Sequence, residues 1–116
     1  MKKLLFVLSG ACVLILSCTV LMDYQVQLEL VGDAGIQFTG YYATTLAGVD
    51  SVSGTIPVYY TVSVKRSGDA ITAYFQKVNQ PGTMIGRMIV DGDTVQEKTA
   101  SNPSDALHMY WCPPSQ

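Results

Sequence analysis

From residue 24 onward, apolar and polar residues alternate with a period of two. Tyr24, Val26, Leu28 and Leu30 fall on one face, with Gln25, Gln27 and Glu29 on the other, the pattern of a half-buried antiparallel strand. Gly32-Asp33-Ala34-Gly35 interrupts it with turn residues, and alternation resumes over residues 36–42, so the two segments are predicted to form a hairpin. Residues 46–55 are rich in Gly, Ser, Asp and Thr and read as a loop with at most a short edge strand. Pro57 then suits a strand start, where no backbone donor is required.

The alternation returns with Val58, Tyr60, Val62 and Val64 and closes at the turn Arg66-Ser67-Gly68-Asp69. Residues 70–79 supply another strand rich in Ile, Thr, Tyr, Phe and Val. In Asn79-Gln80-Pro81-Gly82, Pro presets the second turn position and Gly accepts the positive φ of the third. Met84, Gly86, Met88 and Val90 then oppose Ile85, Arg87 and Ile89, and Asp91-Gly92 is the strongest hairpin signal in the chain. Residues 94–99 return along that hairpin, a loop centred on Pro103 follows, and residues 106–112 form a last apolar strand. With no sustained helical periodicity in this part, the expected fold is all-β. It is an immunoglobulin-like antiparallel β-sandwich of six to seven strands, with an open barrel as the alternative.

The start of the chain has a different logic. Met1-Lys2-Lys3 precedes an apolar run from Leu4 to Leu16, and Ser17-Cys18 follows. A cationic tip, a hydrophobic stretch too short for a stable span of about 20 residues, a small residue and a cysteine make up a bacterial lipoprotein export signal. Ile15-Leu16-Ser17 resembles the lipobox that precedes a lipid-modified cysteine. The expected organisation is a signal peptide over residues 1–17, a tether over 18–23 with its lipid on Cys18, and a sandwich domain over 24–116. Ordinary cleavage near Ser17, or an uncleaved anchor extended by Thr19-Val20-Leu21-Met22, would equally export the body. The expected location is the bacterial cell envelope, outside the cytoplasm and anchored to a membrane.

Removal of such a signal leaves one small domain. The whole chain carries a net charge of −2, and loss of Lys2 and Lys3 makes the remainder more acidic, which argues against nucleic acid as a partner. Of the three cysteines, Cys12 leaves with the signal and Cys18 is acylated, so Cys112 is expected to be a buried, unpaired structural thiol. His108 is the only histidine and has no motif partner. Asp91-Gly92-Asp93 lacks the further oxygen ligands of a calcium loop. Neither a zinc pattern nor a phosphate-cradling glycine loop occurs, so the sequence implies no enzyme, cofactor or metal. Tyrosine is the more informative residue type. Alternation sends one member of each adjacent pair, Tyr41/Tyr42 and Tyr59/Tyr60, toward solvent, which marks these four as a candidate partner surface; cross-strand packing explains them as well.

Gly86-Arg87-Met88-Ile89-Val90-Asp91-Gly92, followed by Val95 and Glu97-Lys98-Thr99-Ala100, resembles the strand and hairpin of the mycobacterial MmpS family. Val31-Gly32-Asp33-Ala34-Gly35 is similar to that family's opening hairpin. The resemblance implies an exported β-sandwich held at the membrane and working beside an envelope transporter of the MmpL type. Two departures stand out. The anchor is a lipidated Cys18 in place of an uncleaved helix, and Gly86 occupies the position of the family's first core cysteine. The family disulfide, a cross-link worth typically about 2–4 kcal/mol, cannot form. The expected function is a membrane-tethered accessory or interaction domain; the alternative is a carrier of a small apolar or lipidic ligand, which needs an enclosed cavity of about 300 Å³ or more.

Overall fold

Eight strands carry the chain in a computed structural model that describes residues 23–114. The predicted signal peptide, the lipid site Cys18 and the tether up to Met22 lie outside the described residues. In chain order the strands are β1 (Tyr24–Gly32), β2 (Gln37–Thr44), β3 (Gly48–Thr55), β4 (Val58–Val64), β5 (Ile71–Lys77), β6 (Met84–Val90), β7 (Asp93–Ala100) and β8 (Ala106–Trp111). They form two four-stranded antiparallel sheets, β4-β1-β6-β7 and β3-β2-β5-β8, stacked as the expected all-β sandwich.

The inward-facing positions of β1, β4 and β6 are those picked out by the alternation. Val26, Leu28 and Leu30 of β1 and Met84, Met88 and Val90 of β6 meet Phe38 of β2, Ala73 and Phe75 of β5, and Leu107 and Met109 of β8. Phe38 and Phe75 pack edge to face at 5.8 Å, and Phe75 stacks on Tyr60 of the opposite sheet at 6.3 Å. Burying Phe38 and Phe75 is worth on the order of 2–3 kcal/mol each. Gly86 faces this core because there is no room for more. A Cβ there would stand 2.7 Å from Leu107 Cδ1 and 3.1 Å from Met109 Cε. The position that resembles the family's cysteine site thus packs against the middle of β8, away from Cys112.

Three expectations are corrected. The first two strands are not a hairpin: β1 pairs with β4 and β6, and β2 pairs with β3 and β5, so Gly32-Asp33-Ala34-Gly35 carries the chain from one sheet to the other. Period-two alternation shows that a strand has a buried face without showing which strand lies beside it. Residues 48–55 are a full strand, which makes eight strands in place of six or seven. β3 lies at a sheet edge and only Val52 packs against the core, so no apolar repeat was needed to hold it. Cys112 is exposed, because β8 ends at Trp111 and it is Trp111 that turns in, against Tyr24 at 5.1 Å.

The predicted Asp91-Gly92 turn joins β6 to β7. Both residues adopt positive φ, 48° and 91°, as a tight antiparallel hairpin demands. The crossovers are stitched to one another at both ends of the sandwich. At one end the Asp33 N–H donates to the Thr83 carbonyl at 2.9 Å, and the Thr83 N–H donates to Asp33 Oδ2 at 2.8 Å. The buried Lys77 ammonium donates to the Gly82 carbonyl at the same end.

At the other end Asp69, only 7% exposed, accepts from three backbone N–H groups. Leu46 and Ala70 donate to Oδ1 at 3.2 and 3.0 Å, and Lys65 donates to Oδ2 at 2.9 Å. One carboxylate therefore ties the β2–β3 turn to the β4–β5 turn. Burial pushes its pKa up, but the backbone donors of Lys65, Leu46 and Ala70 outweigh this and hold it below the ordinary 3.8.

Candidate interaction surface

The two outer faces of the sandwich differ in kind. Across the middle of the β4-β1-β6-β7 sheet, register aligns Tyr59, Glu29, Arg87 and Glu97. Arg87 reaches Glu29 at 2.7 Å and Glu97 at 2.5 Å, and hydrogen bonds to Glu97 and then Glu29 raise its pKa further above an already high value. Every charge in this row has a partner within the row. The corresponding row across the other sheet is Ser51, Tyr41, Tyr74 and His108. Beside it lie Ser53, Thr39, Gln76 and Ala106 on one flank, and Val49, Ala43, Thr72 and Tyr110 on the other. None of these residues is Asp, Glu, Lys or Arg.

Aromatic rings crowd the centre of this uncharged face. Tyr41 and Tyr74 stack with centroids 5.8 Å apart and planes 22° from parallel. His108 meets Tyr74 edge on at 6.4 Å. Tyr110 is 52% exposed, and a hydrogen bond with the Cys112 thiol raises its hydroxyl pKa. With Tyr74 on one side of it, the other face of the Tyr41 ring looks toward β3, whose opposed residue is the small Ser51. The relief is therefore a step: tall rings on β2 and β5 beside a low floor of serines. Further along the same two strands lies an open groove of about 280 Å³ lined by Gln37, Phe38, Thr39, Ser53, Gly54, Thr55 and Val78. The side chains of Thr39, Ser51, Ser53 and Thr55 make no hydrogen bond to other described residues, so their hydroxyls are available to a ligand.

The four tyrosines singled out from the sequence do not share one surface. Tyr41 lies on the uncharged face, and Tyr59, 55% exposed, lies on the opposite one. Tyr42 and Tyr60 are half-buried and pack on each other across the sheets at 5.5 Å. Burial and the neighbouring Tyr42 raise the Tyr60 pKa. One tyrosine of each pair does face outward, as alternation requires. Tyr74, His108 and Tyr110 join Tyr41 only through pairing between strands distant in sequence. Ser51 and Ser53 lie on an edge strand whose Gly-, Ser- and Thr-rich sequence carries no apolar repeat.

A second concavity, of about 430 Å³ and open to solvent, lies where β1 begins and β8 ends, lined by Tyr24, Val90, Asp91, Val95, Trp111 and Cys112. The space between the sheets is filled by the core side chains. Among the described residues, His108 has Tyr74 as its ring neighbour, and no group of three His, Cys, Asp or Glu side chains is arranged to hold a metal ion. No family model matches the chain, and no curated protein matches it. The segment Val31-Gly32-Asp33-Ala34-Gly35, expected as an opening hairpin, is the crossover between the sheets described above.

Proposed function

We propose that this chain is an exported interaction module, held at a bacterial membrane by a lipid on Cys18, that engages its partner through the outer face of the β3-β2-β5-β8 sheet. The observation that carries the reading is the contrast between the faces. One side satisfies its charges internally, while the other presents stacked rings and unengaged hydroxyls to solvent. Exposed aromatic residues in a cluster favour a binding role over a purely structural one. The carrier alternative is less well supported, because the 430 Å³ concavity at the β1–β8 end is open to solvent. Work beside an MmpL-type transporter is one form the module could take, supported by the motif resemblance.

Mass spectrometry of the mature amino terminus tests the tether, with a diacylglyceryl group on Cys18 as the expected result and a bare thiol in cytosolic material as the result against it. A photo-crosslinking residue at position 41 should capture the partner in intact cells, whereas the same residue at position 59 should not. Equal yields from the two positions would retire the assignment of the face. Recovery of an MmpL-type transporter at position 41 would make the accessory role its specific form.

A further inference from the structure

The chemistry of the partner can be read from the uncharged face, resting on the proposal that this face is the binding surface. We infer that it takes an uncharged polysaccharide chain, laid along the step between the Tyr41 ring and the hydroxyl floor of β3.

The absence of charge is the first reason. The chain has sixteen Asp, Glu, Lys and Arg residues in all, seven of them basic and nine acidic, yet the paired rows of β3, β2, β5 and β8 contain none on this side. A charge covered by a neutral polymer would lose its water without gaining a counter-charge. A face built for such a polymer therefore excludes charge, and one built for a phosphate, an acidic glycan or a basic peptide would not.

The kind of polar group is the second reason. A pyranose presents C–H bonds on its faces and hydroxyls around its rim. An aromatic face carries negative quadrupole density that attracts the C–H side, and Ser, Thr and Gln donate to and accept from hydroxyls equally well. The step supplies both: the side of Tyr41 turned from Tyr74 forms the wall, and Ser51, Ser53, Thr39, Thr55 and Gln37 lie along the floor and in the 280 Å³ groove that continues it.

The other occupants fit less well. A second copy of the chain would call for a more apolar patch, since homodimer interfaces are enriched in apolar area, and hydroxyls and amides dominate here. Protein partners favour surfaces with Tyr, Arg and Met and with little Ser; this face has the tyrosines but no Arg or Met, and has Ser51 and Ser53 beside them. No metal or cofactor is required.

Affinity electrophoresis of the full chain, kept in a detergent without a sugar headgroup, tests the inference. The gels would contain hydroxyethylcellulose, glycol chitin or laminarin as neutral polymers, with polygalacturonate as the charged control. Retardation is expected in at least one neutral gel. Tyr41→Ala should weaken it about tenfold, the loss of one stacking contact. Ser51→Glu should abolish it by placing a charge in the floor, and Tyr41→Phe should retain most of it. Near-ultraviolet circular dichroism that matches the unaltered chain confirms that each variant is folded.

The inference is overturned if no neutral polymer retards the chain, if only polygalacturonate does, or if Tyr41→Ala and Ser51→Glu, both folded, leave the retardation unchanged. A concentration-dependent dimer that dissociates on Tyr41→Ala also overturns it, in favour of a second copy. The two proposals fail separately. A lipidated chain that no neutral gel retards keeps the tethered module and loses the glycan. A chain retarded through Tyr41 but bare at Cys18 keeps the glycan and loses the tether.

Discussion

The two outer faces are built on one core from strands of similar length, and they solve opposite problems. On the β4-β1-β6-β7 side a salt-bridged row, Glu29–Arg87–Glu97, spans three adjacent strands, so its charges are engaged with one another. On the β3-β2-β5-β8 side the rings stack and the hydroxyls of Thr39, Ser51, Ser53 and Thr55 find no partner among the described residues. Side chains that satisfy one another mainly stabilise a fold, and side chains left to water form a surface that something else can occupy. Exposure alone does not separate the two cases, since Tyr59 on the first face is more exposed than Tyr41 on the second.

The comparison can be broken most severely at the seam between the sheets. Asp69→Ala strips a buried acceptor from three backbone N–H groups and should lower the unfolding free energy by about 3 kcal/mol in urea titrations, disturbing both faces together. The same residue sets an acid dependence. Its folded pKa lies below the ordinary 3.8, so its contribution is complete above that value and is lost as pH falls through the folded value. The stability gap between the unaltered chain and Asp69→Asn should therefore be widest near neutral pH and close below about pH 4. A gap independent of pH would show that the carboxylate charge plays no part.

Smaller effects should separate the faces themselves. Arg87→Ala leaves Glu29 and Glu97 without their shared cation and should lower the urea midpoint slightly, and less in molar salt. Because that face is not the proposed binding surface, retardation by neutral polymers should be unaffected. Tyr74→Ala removes the ring between Tyr41 and His108 and should cost somewhat under 1 kcal/mol while weakening that binding. Ser51→Glu should change stability by no more than about 0.5 kcal/mol, so any loss of binding there belongs to the surface and not to the fold. If Arg87→Ala harmed binding as much as Ser51→Glu, the division between the faces would collapse.

The all-β class, the inward positions of β1, β4 and β6, and the Asp91-Gly92 hairpin were legible in the chain itself. Each depends on local chemistry: a period of two, β-branched and aromatic residues, and a turn pair that tolerates positive φ. β3 was not legible because an edge strand that buries only Val52 carries no apolar repeat. The exposure of Cys112 was hidden for a related reason, since periodicity runs on past the last paired residue and does not mark where a strand stops.

Which strands lie side by side was decided by the tertiary structure. The separation of β1 from β2, the alignment of Glu29 with Arg87 and Glu97, and the meeting of Ser51, Tyr41, Tyr74 and His108 all arise from pairing between distant segments. Local alternation selects the buried side of each strand. The neighbour of each strand follows from how all the buried sides close over a single core, and so the contents of each outer face are a property of the assembled sandwich.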